Sequence, residues 1–308
     1  MTPATKLLPV LSLLFFSITR ATAANTYPPF EQTLSPKGGE ISLHVSDPLP
    51  LPQTDITEWI TRAATALTHF YTRYPVQHVD IYVYAGGSGV NGGVEYSGQR
   101  INIHLGDDTT RSDLLTDWMI THEMFHLSQP DIEDDQRWMS EGMADYLEPV
   151  ARVRIGQITP EKFWADLVEG MPQGLPGPLD RGLDHTHTWG RTYWGGSMFW
   201  LLADIRTRQQ TNNQKSVRDA ARAVLDAGGD GSETWSLKDV LSAYDHATVT
   251  HVFTQLNDEL GAHPGKPDLD ALWKSLGVVY DDGKVTFDNT APLANIRQGI
   301  TSREKSSQ

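Results

Sequence analysis

The 308-residue chain contains no cysteine. Disulfides are therefore excluded, as is every zinc site built on thiolate, so a metal here must be held by histidine, aspartate or glutamate. The lack is compatible with a bacterial periplasm without establishing one. Basic residues are scarce as well: 25 Lys and Arg face 39 Asp and Glu, for a net charge of −14. Binding to nucleic acid or to an anionic membrane draws on clustered basic charge, so neither is expected as a partner. Long apolar runs are missing too. The apolar stretch at residues 7–18 is too short for a spanning helix and contains Pro9. No internal repeat and no long low-complexity linker interrupts the chain.

What stands at the N-terminus has the pattern of an export signal. Lys6 gives a basic start, residues 7–18 an apolar centre, and Ala21-Thr22-Ala23 a small-x-small cleavage site. Cleavage after Ala23 removes Lys6 and Arg20 and no acid, which moves the charge from −14 to −14 − 2 = −16. The expected product is a periplasmic or secreted protein with no membrane insertion after cleavage. Its 308 − 23 = 285 residues suffice for one large core or two modest ones.

Apolar spacing predicts a strand at 40–45, a helix at 55–74 and strands at 78–84 and 100–105, with residues 86–98 read as turn-rich. Thr110-Arg111-Ser112-Asp113 fits a capping box and is expected to open the next helix, which Pro130 closes. From about residue 135 onward the pattern is mostly helical, with helices expected at 135–152, 159–170, 191–209, 216–227, 237–246, 249–260 and 268–276. A hairpin is expected at 278–287, turning at Asp281-Asp282-Gly283, and the last dozen residues are polar and expected to fray. Strands first and helices afterwards indicate an α+β fold.

The helix opened by Thr110 is expected to carry His122-Glu123-Met124-Phe125-His126. Two histidines four apart lie on one helical face and can reach one ion, with the intervening glutamate beside it as a base. A catalytic zinc requires a third protein ligand and an open position. The metzincin pattern needs Gly three and His six residues after the second histidine; Gln129 and Ile132 stand there, so that pattern fails. Glu141, in Trp138-Met139-Ser140-Glu141-Gly142, can be returned toward the ion by the following helix, and Asp145 lies one turn further on the same face. Gly142 inside that helix points to close backbone packing. Asp131, Glu133, Asp134 and Asp135 are nearer acids, placed in an exposed turn. His104 on a strand and His185 and His187 in a Gly/Pro-rich loop are weaker ligand candidates.

Three ordered signatures resemble the gluzincin metallopeptidases, in particular the M61 (glycyl-aminopeptidase-like) catalytic domain related to M1 aminopeptidases. Gly92-Gly93-Val94-Glu95-Tyr96 is similar to the GGLEH segment of M61 and more loosely to the GxMEN motif of M1. The HExxH and the W-x-x-E-G-x-x-x-Y block from Trp138 to Tyr146 come next. Tyr193-Trp194-Gly195-Gly196-Ser197, with Asp204-Ile205-Arg206 downstream, resembles the Tyr-x-Lys-Gly-Ala helix and its D-x-R. The resemblance spans roughly residues 90–210. It implies a small N-terminal mixed sheet followed by a helical, thermolysin-like zincin lobe, and a zinc-dependent peptidase, aminopeptidase-like, acting on peptide or protein substrates. It implies His122, His126 and Glu141 as zinc ligands and Glu123 as general base. Tyr193 becomes the oxyanion donor, Glu95 the holder of a substrate's free α-amine, and the strand at 100–105 the edge that aligns a peptide. The gap between HExxH and Glu141 is shorter than usual in M61, Gly195 stands for a common Lys and Tyr96 for a His. The alternative is a zinc-binding protein of this fold that acts as a binding module. The expected division is 1–23 signal peptide, 24–110 β-rich part, 111–277 helical zinc-binding part, and 278–308 hairpin and tail.

Overall fold

The computed structural model describes residues 26–132 and 136–303. The expected signal peptide lies outside the described residues, as do Glu133, Asp134 and Asp135.

The N-terminal part is a mixed five-stranded sheet in the order β1-β2-β3-β5-β4. Its strands are β1 (Phe30–Leu34), β2 (Glu40–Val45), β3 (His78–Ala85), β4 (Val90–Tyr96) and β5 (Arg100–Leu105). β2, β3 and β5 run parallel, and the outer strands β1 and β4 antiparallel to their neighbours. Strict alternation in β2, β3 and β5 turns Ile41, Leu43, Val45, Val79, Ile81, Val83, Ile101, Ile103 and Leu105 inward. There they share a core with the buried face of α1 (Gln53–Tyr71), which includes Ile56, Ile60, Leu67 and Phe70. Two expectations are corrected here. The strand at 100–105 is not the edge, because β4 pairs outside it, and the turn-rich stretch 86–98 contains that strand. Glycines hid it: a bulge between Asn91 and Val94 puts Gly92 at φ +62°, a conformation open to glycine, so the alternation breaks.

The Thr110 capping box exists, but it opens α2 (Arg111–Thr116), not the helix of the motif. α3 (Met119–His126) starts afresh. Asp117 forces the break: its carboxylate accepts the N–H groups of Met119 and Ile120 at 3.0 and 3.2 Å and is itself held by Trp59 Nε1 at 2.8 Å.

The remainder is helical: α4 (Arg137–Arg154), α5 (Pro160–Gly170), a π turn (Arg191–Gly195) running into α6 (Gly196–Gln210), α7 (Val217–Asp226), α8 (Leu237–Thr248), α9 (Val252–Leu256) and α10 (Leu269–Leu276). The hairpin follows as β6 (Val278–Asp281) and β7 (Lys284–Phe287). Of the end expected to fray, residues 297–301 belong instead to α11 (Ala294–Thr301), and 304–308 lie outside the described residues; α11 buries Ile296, Ile300 and the Arg297 guanidinium, the latter capping the carbonyls of Leu276 and Gly277 at 2.8 Å. α4 and α6 cross at two glycines. A Cβ on Gly142 would sit 2.2 Å from the Gly196 carbonyl carbon, and one on Gly196 would sit 2.2 Å from Trp138 O. That contact draws the π turn over α4. Among the described residues, no helix is long and apolar enough to cross a membrane.

Candidate metal centre and its cleft

Three donor atoms converge where α3 and α4 face each other. His122 Nε2 lies 3.2 Å from His126 Nε2 and 3.2 Å from Glu141 Oε2, and His126 Nε2 lies 3.5 Å from the same oxygen. Tetrahedral zinc with ligands at about 2.0–2.1 Å requires donor atoms about 3.3 Å apart. The chemistry agrees as well, since two imidazoles and one carboxylate are a donor set that suits zinc and leaves a fourth position open. These residues fit the ion.

Around them the site is held firmly. His122 Nδ1 lies 3.0 Å from Asp145 Oδ1. Burial opposes a charge on His122, but the hydrogen bonds to Asp145 and Glu141 outweigh it and raise the imidazole to about 10. A metal ion held by these residues would take the place of that proton. Burial would lift Glu141, yet the hydrogen bonds and charges of the two histidines hold it well below the usual carboxylate range. Its other oxygen, Oε1, accepts Nε and Nη2 of Arg137 at 2.9 and 2.8 Å, so only Oε2 points at the histidines. Sequence reasoning missed Arg137; its position one turn before Glu141 was the available signal.

Glu123 stands beside the donors, with burial pushing its carboxyl upward and the neighbouring histidines pulling it back. The β4 bulge faces it: a Cβ on Gly93 would meet Glu123 Oε1 at 2.8 Å, and the Glu95 N–H hydrogen-bonds the carboxylate. Glycine is thus the residue that lets strand and base approach. Glu95 Oε1 accepts the Gly98 N–H at 2.5 Å, and burial lifts this carboxyl to about 7.

Tyr193 lies in the π turn with its ring 6.5 Å from that of His122 at 29°. Burial and the charge of Glu141 raise its hydroxyl, with Arg137 opposing. The turn is anchored by Arg191, whose Nε lies 2.8 Å from buried Asp180 and which also donates to Gly174 O. At Gly195, where the resembled motif has lysine, a Cβ would meet Leu183 Cδ2 at 2.7 Å, so a side chain there requires the leucine to shift.

His122, Glu123, His126, Glu141, Asp145, Tyr193 and Glu95 all line one cleft of about 1460 Å³. His104, His185 and His187 do not. His104 lies against Gly92 and the Tyr84 ring, while His187 bonds the Asp184 carbonyl. Asp131 lines the cleft but is not in the ligand group, and its backbone pairs with the segment around Thr234, a wall the sequence did not announce. Asp204 and Arg206 are structural: Asp204 is buried against Arg208 and Tyr146, and Arg206 pairs with Glu259.

By sequence, the chain matches no protein-family model and no curated protein. Its fold is that of solved zinc metallopeptidases. An aminopeptidase N family protein from Idiomarina loihiensis superposes with a TM-score of 0.64 at 16% identity, over 82% of this chain and 49% of that one. An M1 zinc metallopeptidase from Deinococcus radiodurans, a glutamate-to-alanine variant bound to a Tyr-Ser-Ala substrate, gives 0.54 at 12% identity, over 78% and 53%. Legionella pneumophila aminopeptidase A in complex with aspartic acid gives 0.50 at 14% identity, over 79% and 28%. The chain spans about half the length of the first two. These likenesses establish an M1-like aminopeptidase fold.

Proposed function

We propose that this protein is a zinc-dependent peptidase, exported through residues 1–23, that removes N-terminal residues from peptides. The observation that carries this reading is the triangle of His122, His126 and Glu141 donor atoms at zinc-like spacing with Glu123 beside it. Glu123 has no use in a purely structural site. The M1-like fold supports the reading, and the Gly92–Tyr96 segment inclines it toward the M61 branch and a thermolysin-like lobe.

Bound zinc would supply a Lewis acid that acidifies water and polarises a carbonyl. Glu123 takes the proton of the attacking water and returns it to the leaving amine. Its carboxyl is lifted by burial, which suits a group that must both accept and release a proton. Tyr193, kept protonated by its raised pKa, donates its hydroxyl to the oxyanion. Glu95 faces the cleft on β4, where its carboxylate holds the substrate's α-amine. The outer edge of β4 offers N–H and C=O groups to the substrate backbone.

Zinc-loaded wild type, Glu123→Gln and Glu95→Gln should be compared on aminoacyl reporters and on N-blocked peptides. Glu123→Gln should lower kcat about 10²–10⁴-fold. Glu95→Gln should raise KM for free-amine substrates and leave blocked ones alone. Equal cleavage of blocked and free substrates would remove the aminopeptidase reading. A zinc-loaded wild type inert on all of them would leave a binding module.

A further inference from the structure

Nine tryptophans occur in the chain, and seven of them are buried or partly buried. Trp118 and Trp189 stand apart, 49% and 61% exposed, and both line the cleft. Large apolar side chains left in water at a cleft mouth mark a surface meant to be covered. The two indoles close the ends of one row of rings across the metal centre. Trp189 lies 5.9 Å from Tyr193, Tyr193 6.5 Å from His122, and His122 5.5 Å from Trp118, the last pair edge-on at 84°.

The direction of the substrate follows from how β4 runs beside α3. Gly93 N–H meets Met119 Sδ at 3.3 Å near the start of α3. At the other end, Gly98 packs against Gly231, which in turn packs on the His126 carbonyl. Glu95 therefore sits toward the His126 end, where it feels the His126 charge. Trp118 is one turn before His122, at the opposite end of α3. A substrate whose amine is held at Glu95 and whose carbonyl reaches the donor triangle runs on toward Trp118. There the cleft continues past Pro149, Ile158 and Phe163 of the helical part.

We propose that Trp118 is the specificity wall for the residue that follows the scissile bond, and that it selects peptides with an aromatic or large aliphatic side chain there, while Trp189 lies beyond Tyr193 at the other end of the row. This rests on the aminopeptidase reading of the same site. The indole carries no charge, so it gains from an apolar side chain, whose contact removes its own surface from water as well.

The test uses zinc-loaded wild type, Trp118→Ala, Trp118→Phe and Trp189→Ala, each with its zinc content measured, on alanyl-phenylalanine amide and alanyl-glycine amide. Binding of both peptides is measured in parallel on Glu123→Gln by quenching of tryptophan fluorescence. The wild type should favour the phenylalanine peptide in kcat/KM by about ten-fold or more. Trp118→Ala should bring the two peptides near equality, while Trp118→Phe and Trp189→Ala should keep most of the preference. Glu123→Gln should bind the phenylalanine peptide more tightly. Trp118→Ala with full zinc and an unchanged ratio would overturn the proposal and leave the peptidase reading standing, and so would a preference lost in Trp189→Ala but kept in Trp118→Ala. A zinc-loaded wild type that cleaves neither peptide would sink the peptidase reading, and the binding preference of Glu123→Gln would then decide the wall alone.

Discussion

Arg137 grips one oxygen of Glu141 with two hydrogen bonds and leaves the other facing the two histidines, which makes the guanidinium part of the donor geometry. Arg137→Ala should lower turnover by about 10–100-fold, and Arg137→Lys, which lacks the planar fork, should restore little of it. Equal turnover in Arg137→Ala and wild type would remove the guanidinium from the site's working parts. Glu95 offers a pH test. Burial raises its pKa to about 7, so below that value the carboxyl is protonated and neutral and cannot pair with an ammonium group. KM for free-amine peptides should therefore fall as pH rises through about 7, until the amine itself loses its proton near about 8. Glu95→Gln should flatten the lower limb of that profile. At this scale the motif residues were legible because HExxH and Glu141 are constrained by chemistry to fixed types and a fixed face. Arg137 was not, because an arginine at the start of a helix carries no signature until its partner is located.

The helix junctions set where those side chains go. Asp117 ends the α2 segment and starts α3, so Asp117→Ala should cost about 0.5–2 kcal/mol of stability, measured by denaturant unfolding. Gly142→Ala should cost more than its helix propensity would return, on the order of 1–3 kcal/mol from overpacking, because the new methyl meets the Gly196 backbone. It should also disturb Tyr193, which the same crossing holds over α4. A Gly142→Ala protein as stable and as active as wild type would contradict the crossing. The helical periods of α1, α4, α5 and α7 were readable from apolar spacing, and β2 and β5 from alternation. β4 was not, because Gly92 and Gly93 remove the side chains on which alternation depends, and the bulge shifts the register. α11 escaped because its buried positions include Arg297, a residue that reads as surface until its carbonyl partners appear.

The whole molecule places a strand edge, a motif helix and a returning helix around one cleft. That arrangement needs pairings between β4, α3 and α4 that no local pattern encodes. The α+β order was readable from the succession of strands and helices, while the wall around Thr234 and the row from Trp189 to Trp118 arise only from tertiary packing. Because the donor triangle exists only in the folded chain, zinc should stabilise it. Melting temperature should rise with zinc and fall on chelation in wild type, and neither should move it in His126→Ala. The central claim is tested most directly by the zinc content of purified wild type, Glu123→Gln and His126→Ala after equilibration with zinc and removal of excess, with hydrolysis assayed on the same samples. One zinc per chain in wild type and Glu123→Gln, none in His126→Ala, and hydrolysis in wild type alone is the predicted result. A wild type that holds no zinc, or a His126→Ala that holds as much and hydrolyses as well, would contradict it.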